Sequence, residues 1–463
     1  VRDPSRMAEV LNRVIEKAYR GSAPAQINVP RDFWTQVIDI ELPPIVRFER
    51  QGGGKEAIEN AAKYLSDAKF PVILSGAGVV IGDAIEETKK LAEKLDSPVC
   101  SGYQHNDSFP GSHPLAVGPL GYNGSKAAME LISKADVVLA LGTRLNPFST
   151  LPGYGIDYWP KNAKIIQVDM NPDRIGLTKK VTVGICGDAK MVASQLLSKL
   201  SSNAGDTNRE ERKNTIHQTK SAWLQTLTSL DHEDDDPGTV WNKEARERDK
   251  DRMSPRQAWR AIQAGMPNDV IISSDIGNNC AIGNAYPTFE KGRKYLAPGL
   301  FGPCGYGFPA ILGAKIGCPD TPVIGFAGDG AFGISMNEMS SCARKEWPAI
   351  SMVIFRNYQW GAEKRNSILW FDDNFIGTEL DPELSYSKVA NACGLKGVTV
   401  KTMEETTKAI KQSCEDQKKG ITTFIEVILN QELGEPFRRD AMKKPVRVAG
   451  IKKTDMKTQK SLI

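Results

Sequence analysis

Short runs of β-branched and apolar residues alternate with longer amphipathic stretches along most of the chain, the pattern of parallel strands covered by helices. Apolar positions at Met7, Val10, Leu11, Val14, Ile15 and Ala18 have helical spacing. Residues 26–29 read as a strand that stops at Pro30, and 39–50 as a proline-containing connector. A complete unit follows: helix 56–68, strand 71–75, the glycine turn Ser75-Gly76-Ala77-Gly78, helix 83–95, and strands 136–141 and 164–168. A second unit begins at Ser254, with strands at 269–273, 322–327, 349–355 and 422–428. The expected fold class is α/β, with doubly wound parallel sheets.

Residues 201–252 break the pattern. They include His232-Glu233-Asp234-Asp235-Asp236 and Arg246-Glu247-Arg248-Asp249-Lys250-Asp251, without the spacing of a calcium-binding loop, and read as a solvated connection between units. The glycine turn at 75–78 sits where a doubly wound sheet offers amides to an anion, but it lacks the third glycine of a dinucleotide fingerprint. A plain tight turn therefore competes there with a bound nucleotide.

Composition changes this picture little. With 463 residues, 40% hydrophobic and 25% charged, and a formal charge of +4, the chain is an ordinary multi-domain globular protein. Nothing calls for nucleic acid or a membrane surface. The most apolar stretch, 71–81, falls short of the ~20 residues that span a bilayer. Eight cysteines are scattered without a CxxC pair, which argues against a zinc site or disulfide framework and fits a reducing cytoplasm.

The chemistry is concentrated in Val323-Ile324-Gly325-Phe326-Ala327-Gly328-Asp329-Gly330-Ala331-Phe332-Gly333, a buried strand running into a glycine turn and a helix. A later strand ends in Arg356-Asn357. Two adjacent strands thus deliver a carboxylate and an amide oxygen at their C-terminal ends, where open α/β sheets bind ligands. Hard oxygen donors suit Mg²⁺, and glycine amides with a helix start suit phosphate, so the motif reads as a Mg²⁺-diphosphate anchor.

These residues resemble the signature of thiamine-diphosphate-dependent enzymes, GDG followed after a spacer by NN, with Arg356 in place of the first Asn. The resemblance implies thiamine diphosphate and Mg²⁺ as cofactors, the side chains of Asp329 and Asn357 and the backbone carbonyl of Gln359 as metal ligands, and Gly328, Gly330, Ala331 and Trp360 about the diphosphate. Asp275-Ile276-Gly277-Asn278-Asn279 resembles the family loop that holds the diphosphate from the other side, through Ile276, Gly277, Asn278 and Asn279. In 302–310, Gly302 would accept a hydrogen bond from the aminopyrimidine and Cys304 would wedge the cofactor, a place where the family has larger side chains.

The same resemblance divides the chain into residues 1–48, the end of a pyrimidine-binding domain; 49–200, a Rossmann-like central domain; 201–252, a charged linker; 253–440, the diphosphate- and metal-binding domain; and 441–463, a basic tail. The family's activating Glu would then precede Val1, leaving no catalytic residue of that kind within the chain. The runs 336–339, 357–366 and 435–445 resemble an acyl-transferring branch that works on a small sulfonated aldehyde and phosphate. Both substrates are anions, which nominates Lys364, Arg365, Arg438 and Arg439 as their contacts. An acetolactate-synthase-like carboligase and a catalytically incompetent cofactor-binding module are the competing expectations. A homodimer or homotetramer is expected, with small molecules as the other partners.

Overall fold

The computed structural model describes residues 1–21, 23–44, 49–230, 247–299, 301–344, 346–364 and 376–431. Two six-stranded, all-parallel sheets organise it. The first contains β1 Pro71–Ser75, β2 Val99–Ser101, β3 Ala116–Pro119, β4 Val137–Leu141, β5 Lys164–Asp169 and β6 Val183–Cys186, in the order β3-β2-β1-β4-β5-β6. The second contains β7 Ile271–Ser274, β8 Tyr295–Leu296, β9 Val323–Gly328, β10 Ser351–Arg356, β11 Lys396–Val400 and β12 Thr423–Ile428, in the order β11-β12-β10-β9-β7-β8. Every residue of β1, β4 and β10 is buried, as expected for strands covered on both faces.

The α/β expectation holds, and the predicted central strands fall within about two residues of their place. The strand expected at 26–29 does not form. A strand needs a partner for its ladder, and here the Asn28 carbonyl accepts instead from the Val1 ammonium at 2.6 Å. The polar connection carries a helix, Arg209–Leu230, anchored by buried Ile216, Trp223 and Leu227. Arg212 on the same helix is buried, and its guanidinium donates to five carbonyls, those of Lys69, Leu95, Asp96, Gly205 and Thr207. So sparse an apolar seam in a charged segment is hard to see until the surface it packs on exists.

The glycines of the 75–78 turn have a packing reason. A Cβ on Gly76 would lie 2.5 Å from the Gly142 carbonyl oxygen, and one on Gly78 2.6 Å from the Gly142 Cα, so the loops after β1 and β4 touch backbone to backbone.

The two sheet units dock through the loop after β2. Asn106 Nδ2 donates to the carbonyls of Asn284 and Pro287 at 2.8 Å each, and Asp107 Oδ2 accepts from the amides of Lys294 and Tyr295 at 2.9 and 3.2 Å. His105 lies in this loop. Burial, with the nearby Arg144 charge, pulls its pKa down to about 4. Between pH 6.5 and about 4 the unfolded chain therefore binds a proton that the folded one refuses, so stability falls with falling pH across that window by about 3 kcal/mol. Urea unfolding at pH 7 and pH 4.5 checks this: His105→Gln should lose markedly less stability between the two than the parent.

Candidate active site

The site lies at the C-terminal ends of β7, β9 and β10. The chain leaves β7 for β8 on one side and returns as β9 on the other, the point of an open sheet at which loops part and leave a crevice. Gly328 pairs with Phe355 in the register of β9 and β10, which sets Asp329 beside Arg356.

Asp329 is 1% exposed. Its Oδ1 accepts from the Gly330 amide at 2.9 Å and its Oδ2 from the Tyr358 amide at 2.7 Å and from Arg356 Nη1 at 3.1 Å. Burial pushes its pKa up to about 6, against the pull of Arg356 and the two amides. Asn357, next to Tyr358, is 2% exposed, and among the described residues its Oδ1 has no hydrogen-bond partner. The same is true of Gln359 Oε1 and Asn279 Oδ1. Orphaned buried oxygens cost free energy unless something fills them.

The two loops converge. A methyl built on Gly361 would lie 3.4 Å from Asn278 Nδ2 and 3.6 Å from both Asn357 Nδ2 and Gln359 Nε2, so amides from the β7 loop and the β10 loop ring one small volume. Trp360 lies flat on Gly330: a Cβ there would stand 2.8 Å from its ring, which only glycine permits. One buried carboxylate with several neutral amide oxygens is a donor set that fits a hard divalent cation whose remaining ligands come from a phosphate.

Other residues nominated from the sequence fare variously. Gly277 and Gly302 have positive φ, 115° and 60°, and bracket the crevice. The Gly330 amide points at its neighbour's carboxylate. Cys304 is exposed, and its thiol pKa is raised by desolvation and by the carboxylates of Asp275 and Glu363, so it is no ready thiolate. Lys364 Nζ is paired with Glu379, whose other oxygen accepts from Gln431 Nε2 at 3.1 Å. Arg365, Arg438 and Arg439 lie outside the described residues.

Sequence reasoning missed three groups. Asp275, 1% exposed, accepts from the amides of Ile276 (2.8 Å) and Gly305 (3.1 Å) on Oδ1 and of Gly307 (2.7 Å) on Oδ2, tying the β7 loop to the loop that carries Gly302. Glu426, in the middle of β12, accepts from Ser385 Oγ at 2.8 Å and Ser387 Oγ at 2.9 Å. Tyr386 Oη donates to the Asp329 carbonyl at 2.8 Å. For Glu426 the signal available in the sequence was a carboxylate inside the apolar run of β12, and for Asp275 its place at the head of the 275–279 loop.

Comparison with known proteins gives the class. Residues 58–196 match the family model for the thiamine pyrophosphate enzyme central domain, and 275–427 the model for the C-terminal TPP binding domain, so the class is that of thiamine pyrophosphate enzymes. A probable sulfoacetaldehyde acetyltransferase of Rhizobium meliloti is 77% identical over 100% of the chain and 78% of its own length. The sulfoacetaldehyde acetyltransferase of Roseovarius nubinhibens is 73% identical over 99% of the chain and 76% of its own length. The chain belongs to the sulfoacetaldehyde acetyltransferase family. More distant is a probable acetolactate synthase large subunit of Methanocaldococcus jannaschii, 30% identical over 89% of the chain and 68% of its own length. In fold, the chain is similar to benzoylformate decarboxylase from Polynucleobacter necessarius, with a TM-score of 0.71, 19% identity, and coverage of 94% of the chain and 75% of that structure.

Proposed function

We propose that this chain is the thiamine-diphosphate- and Mg²⁺-binding part of a sulfoacetaldehyde acetyltransferase, which converts sulfoacetaldehyde and phosphate to acetyl phosphate and sulfite. The observation that carries the reading is the 77% identity to a relative of that name over the full chain. The orphaned buried oxygen of Asn357 and the buried Asp329 carboxylate, at the ends of two adjacent strands, support it. When bound, thiamine diphosphate supplies the covalent catalysis that cleaves the carbon–sulfur bond.

The protein's share is binding and orientation. Asp329 and Asn357 hold the cation with the aid of Gln359, while Asn278 and Asn279 face the diphosphate from the β7 loop. Trp360 closes the volume over Gly330 and excludes water from it. Lys364, Arg365, Arg438 and Arg439 are proposed to meet the sulfonate and phosphate, Lys364 by exchanging Glu379 for substrate. Two copies of the chain form the proposed working unit, in the cytoplasm.

The test is an assay of the product of the whole coding region, with sulfoacetaldehyde or pyruvate as donor. Acetyl phosphate and sulfite should form only when thiamine diphosphate, Mg²⁺ and phosphate are all present. Carbon dioxide from pyruvate, with sulfoacetaldehyde left unconsumed, would instead support the carboligase reading favoured by the acetolactate synthase relatives.

A further inference from the structure

Arg356 is a buried charge in direct contact with Asp329 to which the proposed function gives no task. Its side chain is 1% exposed, with Nη1 3.1 Å from Asp329 Oδ2 and Nε 3.7 Å from Glu426 Oε1. Nη2 donates to the carbonyls of Asp381 and Leu384, the latter at 2.9 Å, and the guanidinium carbon stands 4.3 Å from the centre of the Tyr358 ring and 5.3 Å from that of Tyr386. Two carboxylates and one guanidinium thus share a buried space.

Asp329 does not need Arg356 in order to point where it does. Backbone amides hold both of its oxygens, Gly330 on Oδ1 and Tyr358 on Oδ2, and neither contact involves the arginine. Without the guanidinium the carboxylate keeps its two fixed donors. What would change is charge: a dication on Asp329 shares that carboxylate with a fixed cation in a low-dielectric interior, where like charges repel strongly. A diphosphate brings enough negative charge to outweigh the repulsion.

We propose that Arg356 is a positioning residue that acts through charge, making cation binding at Asp329 conditional on the diphosphate, so that metal alone is held weakly and metal with cofactor tightly. The inference rests on the reading that Asp329 and Asn357 hold a divalent cation.

The experiment measures Mn²⁺ binding to the full chain by electron paramagnetic resonance, with and without thiamine diphosphate, and compares the two affinities. R356Q/E426Q removes one charge of each sign and leaves the net charge unchanged; it should tighten binding of Mn²⁺ alone by about tenfold or more and shrink the gain on adding cofactor by the same factor. R356K keeps the charge while losing the planar geometry and should retain the parent's ratio. Loss of packing alone would move the melting temperature but not that ratio. The idea is overturned if the double variant binds Mn²⁺ alone no more tightly than the parent, or if R356K tightens it equally. A parent that binds no Mn²⁺ even with thiamine diphosphate would overturn the site reading itself, an outcome distinct from either.

Discussion

Replacing Asp329 with Asn is expected to weaken divalent-cation binding in the presence of thiamine diphosphate by roughly a hundredfold or more, about 3 kcal/mol. The substitution conserves shape, and one amide oxygen can still accept from Gly330 or Tyr358. What it removes is the single carboxylate of the set, and the remaining candidates, Asn357 and Gln359, offer only neutral oxygens. Among the described residues, the variant also leaves the buried Arg356 with Glu426 as its one anionic partner, at 3.7 Å. Mn²⁺ titration followed by magnetic resonance reads the affinity, and far-ultraviolet circular dichroism shows whether the fold survives. Near-parental affinity in a folded variant would remove Asp329 from the metal site and take the central claim with it.

The second large effect is expected at Asp275, which touches no proposed ligand. Three backbone amides converge on its two oxygens. In Asp275→Asn one of those oxygens becomes an NH₂ that faces a donor, and a buried amide is left unpaired whichever way the side chain flips. The cost should be about 2–4 kcal/mol in urea unfolding, the range for an orphaned group where a charged acceptor once sat. Cofactor affinity should fall with it, because Asp275 joins the loop of Asn278 and Asn279 to that of Gly302. Unchanged unfolding would mean that the two loops are held together by something other than this carboxylate.

Much of this was legible in the residue order. Continuous apolar runs such as 71–75 and 349–355 have no stable place except between two layers of helices, so the strands and the α/β class follow from burial alone. GDG at the end of a buried strand and Arg356-Asn357 at the end of another located the crevice, because strand ends and glycine turns are local features. The helix Arg209–Leu230 was not legible, since Ile216, Trp223 and Leu227 are too few to announce a buried face. The strand expected at 26–29 erred the other way: a local propensity was read as structure where, among the described residues, no neighbouring strand completes it.

Arg356 draws the boundary most clearly. As a letter it shows only as a departure from an Asn pair, because its partners Asp329, Asp381, Leu384 and Glu426 come from separate parts of the chain. By itself the sequence determined what periodicity and short motifs can encode: two parallel sheets, the proposed anchor for metal and diphosphate, and the family. Only the tertiary structure decided the charge environment of that anchor and the cross-loop bond of Asp275. Burial and long-range pairing depend on which distant residues meet, and no local pattern records that.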